Sequence, residues 1–246
     1  MARTHAGVAL LGVLATGLVS ALGQGSDPPI VISVQPGDKP ITLAVPVADW
    51  VRQVTLESRT NVENGTWLRR AWQRVSGAGT STFQLDNSER MAFFRARRDA
   101  APTFLDRVAT GLALITTSYP EAVLYEVDAT GTGPTSDPTE ISQLRIVCSV
   151  NGGTALIAST DLFTFGPVDS VPQPWLGDMQ IPWPVNLDVM EADILLQGAG
   201  YQGPFQTITL RHPVYPGLNE PYYIFGMTTG QYVFVGADDK KVFLGQ

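Results

Sequence analysis

Cysteine is almost missing from this chain. Cys148 is the only one in 246 residues, which excludes an intramolecular disulfide and any zinc site built on several thiolates. It lies inside the apolar run Leu-Arg-Ile-Val-Cys-Ser-Val, where a thiol is expected to be buried and inert. Histidine is nearly as scarce: of two, only His212 lies beyond the first few residues. A Ser-His-Asp or Cys-His arrangement would have to use it, yet no Gly-x-Ser-x-Gly elbow accompanies it. His212 therefore reads as an exposed strand end, and no catalytic residue is expected. Phosphate-binding glycine patterns are lacking too, since residues 130–133, Thr-Gly-Thr-Gly, run into Pro134 instead of a helix. No acidic run has the spacing of a calcium loop, so neither a metal nor a cofactor is expected. After residue 22 no apolar run approaches the roughly 20 residues that span a bilayer.

Positive charge is short overall and unevenly placed. The formal net charge is −7. Residues 28–99 hold ten Lys/Arg against seven Asp/Glu, a balance of +3, whereas residues 100–246 hold five against fifteen, a balance of −10. Such a split points to two modules. It also argues against nucleic acid as the main partner, because the larger module would repel phosphate.

What is abundant is turn chemistry and apolar residues: 24 glycines, 18 prolines and 44% hydrophobic content, the make-up of a globular chain of short strands. Residues 1–23 have the form of a signal peptide. Arg3 starts them, residues 8–22 are almost entirely apolar, and Ala21-Leu22-Gly23 is a small-x-small end. The expected location is an exported one, periplasmic, cell-surface or extracellular. Residues 24–29 are a polar tether.

Residues 30–99 are short segments with apolar residues at alternate positions, such as Ile-Thr-Leu-Ala-Val and Val-Thr-Leu-Glu-Ser, separated by turn signals that include Asn64-Gly65. They predict an all-β module, a small sandwich. Arg95 and Arg97 fall on one face of the last strand and could form a basic ridge. The stretch from Val-Thr-Leu-Glu-Ser-Arg-Thr through a Trp-bearing strand and Ser-Gly-Ala-Gly to Phe-Phe-Arg-Ala-Arg-Arg resembles the immunoglobulin-like or fibronectin-like accessory module of exported bacterial proteins. That resemblance brings no catalytic residue with it.

Residues 100–246 change period. Thr103 can cap a helix whose stripe is Phe104, Leu105, Val108, Leu112 and Ile115, with Pro120 beyond its end. A strand, a loop at 131–140 and two more strands follow, giving a half-unit at 102–165. A proline-dense connector with Trp175 and Trp183 leads to a second half-unit at 187–243. There Asp188 and Glu191 form a capping box, and Gly198 and Gly200 provide the exit. The expected domain is α+β, a tandem of helix-plus-three-strand antiparallel units. In element order it resembles the PepSY-like and β-lactamase-inhibitor-like group, which implies an exported protein-binding or inhibitory module.

The remaining signal is aromatic. Trp175, Trp183, Tyr215, Tyr222 and Tyr232, with Arg211 beside them in sequence, are the expected binding residues, because Tyr and Trp bury much area at little entropic cost. The sequence thus predicts an exported, non-catalytic binding protein that contacts a protein or polysaccharide through an aromatic sheet face and a Trp-bearing loop. The rival is an exported carbohydrate-binding protein or hydrolase using carboxylates such as Glu220 or Asp178.

Overall fold

A computed structural model of the chain describes residues 31–33, 41–59, 66–85 and 93–245. The expected leader at 1–23, the tether at 24–29 and the Asn64-Gly65 turn lie outside the described residues. The chain is predominantly β and divides into two compact units, Met1–Ala100 and Ala101–Gln246.

The first unit holds two three-stranded antiparallel sheets. One is β1 (Val31–Ser33), β2 (Ile41–Val47) and β5 (Gly79–Leu85); the other is β4 (Leu68–Arg74), β3 (Gln53–Arg59) and β6 (Phe93–Asp99). Alternation does the folding: Leu43, Val45 and Val47 of β2 and Phe83 of β5 share one buried cluster with Val51 and with Val54 and Leu56 of β3. Each such side chain contributes about 1.5–3 kcal/mol on burial. On the other face of β3, Glu57 is covered rather than solvated. Arg95 Nε donates to Glu57 Oε2 at 2.5 Å, and the Arg95 and Arg59 guanidinium groups lie 4.4 and 4.5 Å from the Trp67 ring centre. Arg95 thus serves a local ion pair and a cation–π contact.

The second unit is built on one antiparallel sheet of nine strands. Its path is β10 (Asp169–Val171), β9 (Gly153–Ala158), β8 (Gln143–Val150), β7 (Val123–Thr135), β12 (Phe205–Pro213), β13 (Tyr222–Met227), β14 (Tyr232–Gly236) and β15 (Val242–Leu244). The short β11 (Asp178–Met179) pairs with the far end of β12. Strands β7 and β12, each the first strand after a helix, meet at the centre. The order is therefore symmetric about them: β9-β8-β7 on one side, β12-β13-β14 on the other.

Helices α1 (Phe104–Ser118) and α2 (Val189–Gly198) both begin in capping boxes, Thr103 with Asp106 and Asp188 with Glu191. They cover the same face of the sheet. A cross-strand row on that face runs Ile157, Ile146, Val127, Leu210, Tyr223 and Val235, all buried. The Phe104 ring meets Tyr223 edge-on at 5.8 Å, and the Tyr223 hydroxyl donates to the Leu187 carbonyl at 2.7 Å. Gly111 lets α1 approach closely, for a Cβ there would collide with Ile146 Cδ1. Asp188 is buried and joins both helix starts, accepting from Met190 N–H of α2 and Leu105 N–H of α1, each at 3.1 Å. Gly200, past α2, has the positive φ of +95° that suits a residue without a Cβ.

Two expectations are corrected here. Residues 131–135, read as part of a loop, continue β7. Thr130 pairs with Thr207 and Thr135 with Phe205, and the Gly131-Thr132-Gly133-Pro134 segment forms a bulge between these two pairings. A partner strand supplied by the other half of the unit overrides the local turn signal. The proline-dense connector, read as irregular, contributes β10 and β11 to the sheet.

Candidate binding face

The sheet of the second unit has one face without helices, and period-2 alternation fixes who stands on it. One cross-strand row reads Leu156, Val147, Glu126, Arg211, Tyr222 and Gly236. The next reads Ala158, Arg145, Asp128, Thr209, Ile224, Phe234 and Phe243. The face thus passes from a mixed and charged half on β7–β9 to an aromatic half on β13–β15.

The charged half is covered. After β10 the connector crosses back over β9, β8 and β7 to reach β11, forming a strap. Thr154 Oγ1 donates to the Gln173 carbonyl at 2.7 Å. Trp175 Nε1 donates to Asp178 Oδ2 at 2.8 Å, and Arg145 lies 5.7 Å from the Trp175 ring centre. Arg211 Nε donates to Asp178 Oδ1 at 2.6 Å. Under the strap Val147 is fully buried and Glu126 is 6% exposed.

Beneath the strap three carboxylates meet two guanidinium groups. Arg211 Nη1 lies 3.6 Å from Glu126 Oε2, and Arg145 Nη1 lies 3.0 Å from Asp128 Oδ2 and 3.9 Å from Glu126 Oε1. Thr209 Oγ1 donates to Asp128 Oδ1 at 3.1 Å. The Glu126 carboxyl is pushed up to about 7, first by burial and then by Asp128, with Arg211 opposing. With Glu126 protonated the cluster is balanced; with it ionised the cluster carries one excess negative charge.

The aromatic half is bare by comparison. Tyr232 is 59% exposed, whereas Phe234, Phe243 and Ile224 are half-buried. Phe234 and Phe243 stack with centres 5.2 Å apart, and Tyr222 meets both rings edge-on. At one end of the β11–β12 pair Leu176, Val214 and Tyr215 form an exposed apolar rim.

The expected binding residues are thus distributed. Arg211 and Trp175 anchor the strap over the open face, Trp175 half-buried. Trp183 is half-buried between buried Ile181 and Val185, on the stretch leading to α2, and does not join Trp175. Tyr222 is buried at 5%, Tyr232 lies out on the aromatic half, and Tyr215 is at the rim. His212 Nδ1 lies 3.2 Å from the Gln180 carbonyl oxygen, a backbone partner on the neighbouring stretch. Cys148 is fully buried, and burial pushes its thiol up to about 12. Among the described residues no three of His, Cys, Asp or Glu are placed to hold a metal ion, and no helix is long and apolar enough to cross a membrane.

Sequence reasoning missed Glu126, Asp128 and Arg145. A signal existed: two acidic residues two apart within a strand, Glu-Val-Asp, with Arg at the matching alternate position of the next strand, mark a charged face. No protein-family model matches the chain, and no curated protein matches it. Among solved structures, a proposed lipoprotein of Clostridium difficile 630 aligns over 57% of this chain and 95% of its own, at 8% identity and a TM-score of 0.39. A likeness that low carries no argument about fold or function.

Proposed function

We propose that this chain is an exported, non-catalytic binding protein whose contact surface is the bare aromatic half of the sheet face, β13–β15. The observation that carries the reading is the asymmetry of that face: the strap covers the half on β7–β9 and leaves Tyr232 exposed with Ile224, Phe234 and Phe243 beside it. Aromatic residues beside apolar ones on a rigid sheet suit capture of a partner, since little side-chain entropy is lost on contact. Export rests on the signal-like pattern of residues 1–23. For the fold, the reading is a small sandwich of the immunoglobulin-like kind followed by a tandem helix-on-sheet domain of the PepSY-like kind, supported by the shared core of the first two sheets and the symmetric strand order of the third. In this reading Trp175 works by pinning the strap, and Tyr232 touches the partner.

The test is to recover bound proteins and glycans from the source's exported fraction and to measure affinity for whatever is retained. Tyr232→Ala is expected to weaken it about tenfold or more, as for a hot-spot aromatic. Leu114→Ala, at an exposed position of α1 on the opposite side of the sheet, is expected to leave it unchanged. Loss with Leu114→Ala alone, or turnover of a retained glycan, would overturn the proposal.

A further inference from the structure

The strap and the carboxyl groups beneath it draw on the same two cations. Arg211 holds the strap: its Nε donates to Asp178 Oδ1 at 2.6 Å, and its Nη2 pairs with the same oxygen and donates to the Gly177 carbonyl at 3.4 Å. On the side of the sheet its Nη1 lies 3.6 Å from Glu126 Oε2. Arg145 is divided in the same way, between the Trp175 ring and the Glu126 and Asp128 carboxyls. The strap brings little of its own to hold it down. Pro172 and Pro174 have no N–H to give, and residues 171–174, Leu176 and Gly177 are exposed.

The charged groups that face Glu126 are Asp128 on its own strand β7, Arg145 on β8, Arg211 on β12 and Asp178 on β11. With the Glu126 proton in place, two carboxylates meet two guanidinium groups, and Arg211 is left to Asp178. With the proton gone, a third carboxylate competes for Arg211 and repels Asp178, in a covered place where water screens charge poorly. Only one member of the cluster is free to move away. Glu126, Asp128, Arg145 and Arg211 stand on long paired strands, whereas Asp178 ends the strap on the two-residue β11.

We propose that the strap is a pH gate: when Glu126 loses its proton, Arg211 turns from Asp178 to Glu126 and residues 172–178 lift from the sheet. Lifting uncovers Val147 and Leu156, which share a cross-strand row with Glu126, Arg211 and Tyr222. The apolar surface of the aromatic half then continues across the sheet, a consequence that rests on the reading of that half as the contact surface. The direction follows from linkage. Burial, and then Asp128, hold the Glu126 carboxyl at about 7 under the strap against an ordinary 4.5. Lifting the strap returns it toward the ordinary value, so the covered form is favoured at low pH and is lost as pH rises through about 7.

The experiment follows the Trp175 indole N–H, which donates to Asp178, by NMR on the whole mature protein without a partner, the resonance being assigned by its absence in Trp175→Phe. Its protection from hydrogen exchange, corrected for the intrinsic pH dependence of indole exchange, is expected to fall roughly tenfold between pH 6 and pH 8, with the amides of α1 and α2 keeping theirs. Glu126→Gln keeps the side-chain volume and cannot ionise, and is expected to hold the protection constant. His212→Gln, which removes the titratable neighbour of Arg211 in sequence, is expected to leave the fall in place. Constant protection in the wild-type protein overturns the gate, as does a fall of equal size in Glu126→Gln or the loss of the fall in His212→Gln. If Glu126→Gln does not fold, the other two proteins decide, and a fall shared by the α1 and α2 amides is global unfolding and overturns the gate. No partner is present in these measurements, so a failure of the bare half to capture one is a separate result.

Discussion

Glu126 shows what a single residue's surroundings do. A glutamate alternating into the open face of a strand would ordinarily be solvated, but the strap leaves it 6% exposed beside Asp128 and Asp178. Its proton is held up to about 7 against an ordinary 4.5. Because the folded state binds this proton more tightly than the unfolded chain, the associated stability is fully present below about 4.5 and is lost as pH rises through about 7. The loss is at most a few kcal/mol, since each tenfold gain in proton affinity is worth roughly 1.4 kcal/mol. Urea unfolding at pH 5 and pH 8 is expected to show the decline, and Glu126→Gln to flatten it. A residual slope of the same sign is expected from Asp188, pushed up to about 6 by burial between the two helix starts. An unchanged pH profile in Glu126→Gln would mean the carboxyl is solvated. The capping role of Asp188 toward Met190 was legible from Asp-x-x-Glu. Its bond to Leu105, 83 residues away, was not, since no local pattern encodes it.

At the scale of elements, helices and strands follow their own periods, but their ends follow their neighbours. The stripe of α1 and its cap were readable because both signals lie within a few residues. The extension of β7 through Gly131-Thr132-Gly133-Pro134 was not, because the pairing that sustains it comes from Phe205 and Thr207. The strap is the same case. Proline-rich and short of hydrogen bonds of its own, it becomes ordered by pairing at its two ends, β10 on β9 and β11 on β12. The first of these pairings depends on Gly153, since a Cβ there would collide with the Val171 carbonyl. Gly153→Ala is expected to detach β10 and speed hydrogen exchange across residues 169–178, with α1 and α2 unaffected. Equal protection in the variant would show that the strap is held by its β11 end alone.

For the whole molecule, the two units have separate hydrophobic interiors, one centred on Leu43, Val54, Leu56 and Phe83, the other between the helices and the nine-stranded sheet. Residues 101–246 carry both helix caps, the strap and every strand of that sheet. A fragment of those residues is expected to unfold in one cooperative urea transition with native-like near-ultraviolet dichroism. A fragment lacking fixed tertiary signal would show that the second unit requires the first. The charge contrast between the halves, +3 against −10, is a property of the chain that survives any arrangement of the units.

The sequence by itself determined the β-rich class, the starts of both helices, the buried thiol and the alternation that sorts each strand into two faces. These depend on neighbours a few residues apart, where period and capping act directly. It named Tyr222 and Tyr232, but it could not say which was buried. Only the tertiary structure decided that β7 and β12 meet at the centre, that the connector lies over one half of the open face, and that Glu126 is enclosed while Tyr232 is bare. Alternation tells which residues share a face, and long-range pairing tells what covers that face.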